Sequence, residues 1–258
     1  MGTGWSQREA SQSQQQSPGE PSYTEVVEIK ATPPKKSGPK EVVQGKEKTT
    51  VAQVKKQQQQ LPHNYEAIVK DADSPINKSA EHLFGHLYAG ILLNQKRKKY
   101  WIDKNSNNCF MVYPRDLTIT WAEDNRYWEW PCLEETSNVF IDVAELLDVC
   151  WLDVSGQFDA AKLSPGTLYE VVFVVMLKAE GGGWEVPVNV RLSLPDGNKQ
   201  EHKVNLMEKA RGQWIEIPVG EFRASPGKLG DIKFSMYEHG GHWKNGLVIK
   251  GVAIRPKD

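Results

Sequence analysis

From residue 100 to the C-terminus, apolar and polar residues alternate with the two-residue period of a β-strand, in one short run after another. Val188-Asn189-Val190-Arg191-Leu192-Ser193-Leu194 shows the alternation most clearly. Strands are expected at Cys150–Phe158, Leu168–Leu177, Glu185–Leu194, His202–Met207, Trp214–Val219, Ile232–Tyr237 and Leu247–Ile254. Shorter aromatic or β-branched runs lie at Phe110–Tyr113, Leu117–Trp121 and Tyr127–Trp130. Turn signals such as Gly181-Gly182-Gly183, Pro195-Asp196-Gly197-Asn198 and Ser225-Pro226-Gly227 separate the later runs. Many strands with no helical repeat between them predict an all-β fold over residues 100–258, an antiparallel β-sandwich of jelly-roll type.

The residues before this block read differently. Residues 1–61 contain Ser-Gln-Ser-Gln-Gln-Gln, Pro-Pro-Lys-Lys and Lys-Lys-Gln-Gln-Gln-Gln, with Trp5 and Tyr23 as the only aromatics. Such a segment cannot bury enough apolar area to offset chain entropy, so a disordered tail is expected. The start Met-Gly-Thr-Gly-Trp-Ser fits the N-myristoylation pattern, with Gly2 as acceptor. One acyl chain gives only weak membrane association, and Lys35, Lys36 and Lys40 would have to assist it. Residues 62–99 form a lead-in, helical over residues 79–93: Leu83, Phe84, Leu87, Tyr88, Ile91 and Leu92 draw one apolar stripe, with Ser79 as N-cap. Lys96-Arg97-Lys98-Lys99 then reads equally as a nuclear-localisation signal or as a solvated turn entering a strand.

Several function classes drop out on chemistry. A net charge of −1 argues against nucleic-acid binding by bulk electrostatics. The Gly181–Gly183 run lacks the Lys-Ser/Thr ending of a phosphate loop, and no serine sits in a nucleophile elbow. Glu238-His239-Gly240-Gly241-His242 could in principle hold a metal, but Gly-Gly implies a hairpin loop and no third ligand is near in sequence. A binding protein with no catalytic residues, metal or cofactor is therefore expected. Cys109, Cys132 and Cys150 are odd in number and lack zinc-site spacing, so reduced thiols in a cytoplasmic or nuclear setting are the simplest reading.

Of the nine tryptophans, eight lie beyond residue 100. Trp121 and Trp128 flank a polar Ala-Glu-Asp-Asn-Arg turn, and Trp128 shares a strand face with Trp130. Sugar rings offer an apolar C–H face and a hydroxyl rim; an indole satisfies the first, and carboxylates or amides the second. The competing reading is that these rings fill the core.

The chain resembles the phloem protein 2 family, which includes the Nictaba-type lectin domain. The resemblance rests on Asn108-Cys109-Phe110-Met111, Arg115-Asp116-Leu117-Thr118-Ile119-Thr120-Trp121, Tyr127-Trp128-Glu129-Trp130 and Cys150-Trp151-Leu152-Asp153-Val154-Ser155-Gly156. Phe234-Ser235-Met236-Tyr237-Glu238 and the run from Trp243 to Pro256 extend it, and it covers roughly residues 63–258. It implies an intracellular lectin without an F-box, binding N-acetylglucosamine oligomers and the core of N-glycans. The family's sugar-contacting tryptophans fall on Trp121 and Trp128, and its acidic residues on Asp231 and Glu238. Asp231 stands where a longer Glu is usual, and the loop after Glu238 is one residue shorter. A homodimer in the phloem sap is expected. The alternative is a phloem structural protein acting through self-association, RNA or filament partners.

Overall fold

The longest apolar runs form the longest strands and lie side by side in the centre of the larger sheet. The computed structural model describes residues 61–77, 79–225 and 230–257. The chain divides into two units, Met1–Lys56 and Gln57–Asp258, and all described residues belong to the second. The tail, Gly2 and its neighbouring lysines, and Pro226-Gly227 lie outside the described residues.

Among the described residues, two α-helices, α1 (Tyr65–Ile68) and α2 (Ala80–Ala89), precede the strands. In chain order these begin with β1 (Ile91–Leu93), β2 (Lys98–Ile102), β3 (Asn108–Val112), β4 (Thr118–Ile119) and β5 (Trp128–Glu129). Next come β6 (Cys132–Thr136), β7 (Val139–Asp142), β8 (Ala144–Leu146) and β9 (Leu152–Asp159). The last are β10 (Leu168–Leu177), β11 (Val188–Ser193), β12 (Lys199–Val204), β13 (Trp214–Arg223), β14 (Asp231–Glu238) and β15 (Leu247–Pro256). One eight-stranded sheet runs β1-β2-β3-β15-β10-β13, with β8 also on β15 and β5 on β8. A five-stranded sheet runs β12-β11-β14-β9-β4, and β6-β7 is a separate hairpin. The strand pairs are antiparallel.

The two large sheets face each other across one core. Phe173 of β10 meets Phe234 of β14 edge-on at 6.2 Å, and Phe110 of β3 meets Phe158 of β9 at 4.6 Å. Strands β11 and β14 alternate cleanly because only one face of their sheet is covered. Strand β15 is buried on both faces over most of its length, and β10 is fully buried on one face and half-buried along much of the other. Val248 and Met176, on the outer side, pack with Ile141, Val143 and Leu133 of the β6-β7 region. Glu135 fastens this hairpin, bound by Lys99 at 3.2 Å and by Lys250 at 2.7 Å. Core-facing Gly156 makes room for a neighbour: a Cβ there would lie 2.5 Å from the Phe234 ring.

The lead-in differs from its sequence reading. Helix α2 stops at Gly90, whose φ of 96° no longer fits a helix. Ile91 and Leu92, expected on the helical stripe, instead enter β1 and pair with Tyr100 and Lys99. Ser79 occupies the N-cap position, but its hydroxyl contacts His82 rather than a backbone N–H. Leu83 and Leu87 join Tyr65 and Ile68 in the sandwich core, each contributing about 1.5–3 kcal/mol on burial. The basic run closes the β1-β2 turn and opens β2: Lys98 pairs with Asp116 at 2.5 Å, Lys99 with Glu135, and Arg97 donates to the Arg115 carbonyl. No helix among the described residues is long and apolar enough to cross a membrane.

Candidate functional site

Trp121 has a backbone conformation that a tryptophan rarely adopts. Strand β4 ends at Ile119, and the Ile119 carbonyl accepts from the Ala122 N–H at 3.2 Å, closing a turn with Trp121 at its third position. Its φ is 60°, the left-handed region, which costs an L-residue about 1–2 kcal/mol. Strand alternation would send Trp121 to the core side with Ile119; the turn instead leaves it 46% exposed. Its ring lies 5.2 Å from Tyr127, which in turn carries the Arg126 guanidinium. The same loop is tied internally. Asp124 binds Arg126 in a fork, which holds its carboxyl down at about 2, and its backbone accepts from Tyr127 and Trp128.

The outer face of the five-stranded sheet lies beside this loop. The register sets Thr118, Ser155, Ser235, Arg191 and Glu201 in one row across five strands. Thr118, Ser155, Ser235 and Arg191 of this row line a groove of about 730 Å³, together with Lys233, Gln157 and Asp231. Arg191 is bidentate to Glu201 and donates to the Tyr237 hydroxyl at 2.6 Å; that hydroxyl donates to Glu201. Tyr237 continues into an aromatic strip, with His239 at 5.0 Å and Trp151 stacked on His239 at 4.0 Å and 5°. Asp153 accepts from the His239 ring at 2.8 Å, while its backbone carbonyl accepts the Thr120 N–H next to Trp121. The strip and the Trp121 loop therefore share one end of the sheet.

The sequence pattern of phloem protein 2 matches residues 107–256, a stretch holding the loop, the row and the strip. The chain belongs to the phloem protein 2 family. Protein PHLOEM PROTEIN 2-LIKE A1 of Arabidopsis thaliana is 48% identical over 200 residues, covering 76% of this chain and 81% of the relative. A protein named Lectin from Luffa acutangula is 48% identical over 199 residues, covering 76% of this chain and 94% of that one. Another protein named Lectin, from Coccinia grandis, is 29% identical over 59% of this chain and 97% of its own.

In this phloem protein 2 member the four sequence-predicted contacts are not one constellation. Trp128 is a correction. It is 2% exposed, part of the core cluster, and has no face on which a sugar ring could stack. Its indole N–H donates to the Thr120 carbonyl at 3.0 Å, and Trp130 does the same to Ala122 at 3.1 Å. Trp128 thus grips the turn that presents Trp121. Its spacing from Trp121 reflects an anchor and a presented ring, not two platforms.

Glu238 is a second correction. It lies seven positions after Asp231 on β14, an odd offset, so the two side chains point to opposite faces, with their backbones roughly 23 Å apart along the strand. Glu238 faces inward, 6% exposed, and binds the fully buried Lys244 ammonium at 2.5 Å. Lys244 also donates to the Cys150 and His242 carbonyls, both at 2.6 Å. The pair fastens the loop after β14 to the start of β9. Asp231 stays on the groove face, opposite Asp159 and at the far end from Trp121. His239 points to Asp153 and Trp151, and no metal-holding cluster of His, Cys, Asp or Glu occurs among the described residues. Cys109 is buried, Cys150 half-buried and Cys132 exposed.

Acid should loosen two of these fastenings. Burial alone would raise the Glu135 and Glu238 carboxyls; Lys250 and Lys99 on one, Lys244 and the Gly240 N–H on the other, outweigh it and hold both below the usual value. With folded pKa values depressed, their stabilisation is present above the unfolded Glu value of about 4.3 and is lost as pH falls through the folded values. Urea midpoints should be flat near neutrality and drop below about pH 4, less steeply in Glu135→Gln. An unchanged midpoint down to pH 3 would refute the assignment.

Proposed function

We propose that the protein is a carbohydrate-binding protein that recognises N-acetylglucosamine oligomers and the core of N-glycans. It binds them where the Trp121 loop meets the outer face of the five-stranded sheet. The observation that carries this reading is Trp121 itself: a large apolar ring held out in solvent by a backbone conformation costing about 1–2 kcal/mol. The buried Trp128 and half-buried Trp130 indoles hold the turn that imposes this strain, and a ligand pressed on the presented ring gains from it. The phloem protein 2 relatives named Lectin support the same reading.

The chemistry follows from the shape of a pyranose. Its C–H face covers the Trp121 ring by dispersion, while its hydroxyls exchange hydrogen bonds with Thr118, Ser155 and Ser235 and with the fixed Arg191–Glu201 pair. Each ring contact is modest, so single sugars bind weakly and oligomers better. Asp231, at the far end of the groove, meets only the distal end of a long oligomer. Binding, orientation and release are the whole activity; no residue is assigned a bond-breaking role.

A glycan array probed with the full chain tests the reading. Signals should concentrate on chitin oligomers and N-glycans with an exposed core, and Asp231→Asn should weaken only the longest oligomers, by about threefold. An array without signal for the folded wild type overturns the proposal and favours a role in self-association or in binding RNA or filament proteins.

A further inference from the structure

The groove face carries a second flat ring that the proposed function leaves unused. Trp151 precedes β9 with the parity of Asp153 and Ser155, so it faces outward with the polar row. One face of its indole is covered by the parallel His239 ring at 4.0 Å; the side chain is nevertheless 44% exposed, so its other face is open to solvent. The stack is braced from below. His239 is held by Asp153 at 2.8 Å and flanked by Tyr237, itself fixed by Arg191 and Glu201. An indole with one face braced and the other wet is preorganised for a flat ligand face, and the Asp153 carboxylate beside it retains lone pairs for a hydroxyl.

We propose that Trp151 is a second sugar-stacking platform, so that the site takes an extended oligosaccharide with one sugar on Trp121 and a later one on Trp151. The inference rests on the carbohydrate-binding reading above and specifies its ligand as a chain rather than a terminal residue. The Thr120–Asp153 backbone hydrogen bond places the two rings at one end of the β4-β9 pair. The polar row lies on the same outer face. A short oligosaccharide occupies Trp121 alone; a longer one gains the second stack.

Calorimetric titration of the full chain with chitin oligomers, from the disaccharide to the hexasaccharide, tests this. Wild-type affinity should climb with length. Trp151→Ala should leave the disaccharide within about twofold and cost the hexasaccharide about tenfold, flattening the climb, and Trp151→Phe should restore part of it. Because Trp151 is half exposed, both variants should melt close to wild type. An unchanged length dependence in Trp151→Ala overturns the inference. Equal weakening at every length overturns it as well, since a distorted Trp121 turn would produce that pattern. A wild type that binds no oligomer overturns the function proposed above, and this inference with it.

Discussion

Replacing Trp121 by glycine should abolish most oligosaccharide binding while leaving the fold as stable as before. Trp truncations at binding hot spots cost about 2 kcal/mol or more, or roughly thirtyfold in affinity. Stability responds to three smaller effects. Glycine relieves the left-handed strain of about 1–2 kcal/mol, loses about 0.5–1 kcal/mol in chain entropy, and forfeits an aromatic contact with Tyr127 of about 0.5–1.5 kcal/mol. These nearly cancel, so the urea midpoint should stay within about 1 kcal/mol of wild type. Trp128→Ala should instead strike stability first. It empties a fully buried site and releases the Thr120 carbonyl, costing about 3–5 kcal/mol. Chitin binding and urea denaturation of the two variants, measured together, separate the presented ring from its anchor. A destabilised Trp121→Gly with intact binding would reverse the assignment.

Lys244→Met should be the most damaging single change outside the hydrophobic core. It leaves the Glu238 carboxylate buried without its cation, and breaking one side of a buried pair costs about 3–5 kcal/mol. It also frees the Cys150 and His242 carbonyls that the ammonium satisfied. Against a typical total of about 5–15 kcal/mol, that is a large share of the stability. Adding Glu238→Gln should recover part of the loss, because the double variant buries no unpaired charge. Urea midpoints of the single and double variants read this directly; a loss below about 1 kcal/mol would mean that the pair is solvated and does not fasten the loop.

Sequence alone determined the sandwich. Runs such as Leu168–Leu177 and Val188–Ser193 carry their period in the residues themselves, since a strand covered on one face must alternate and one covered on both must be apolar throughout. Membership of the phloem protein 2 family was equally legible, because each of the matching motifs is a run of consecutive residues. Even the separation of Asp231 from Glu238 was countable: an odd spacing on one strand puts two side chains on opposite faces. The β1 and β6–β8 strands were not legible, being short and without clear alternation; the helix ends at Gly90, and pairing with β2 holds Ile91 and Leu92 in a strand.

Only the tertiary structure decided which aromatic rings meet solvent. Trp121 and Trp128 have the same composition and sit in similar polar-aromatic surroundings, yet one is presented and the other sealed. The difference lies in one left-handed φ and one indole-to-carbonyl hydrogen bond, neither of which leaves a mark in the sequence. The Trp151–His239 stack likewise needs β9 and β14 in register before residues so far apart in the chain can touch. Periodicity is a local property and survives in the sequence; exposure depends on what the rest of the chain packs against, and that is settled only when the sheets close.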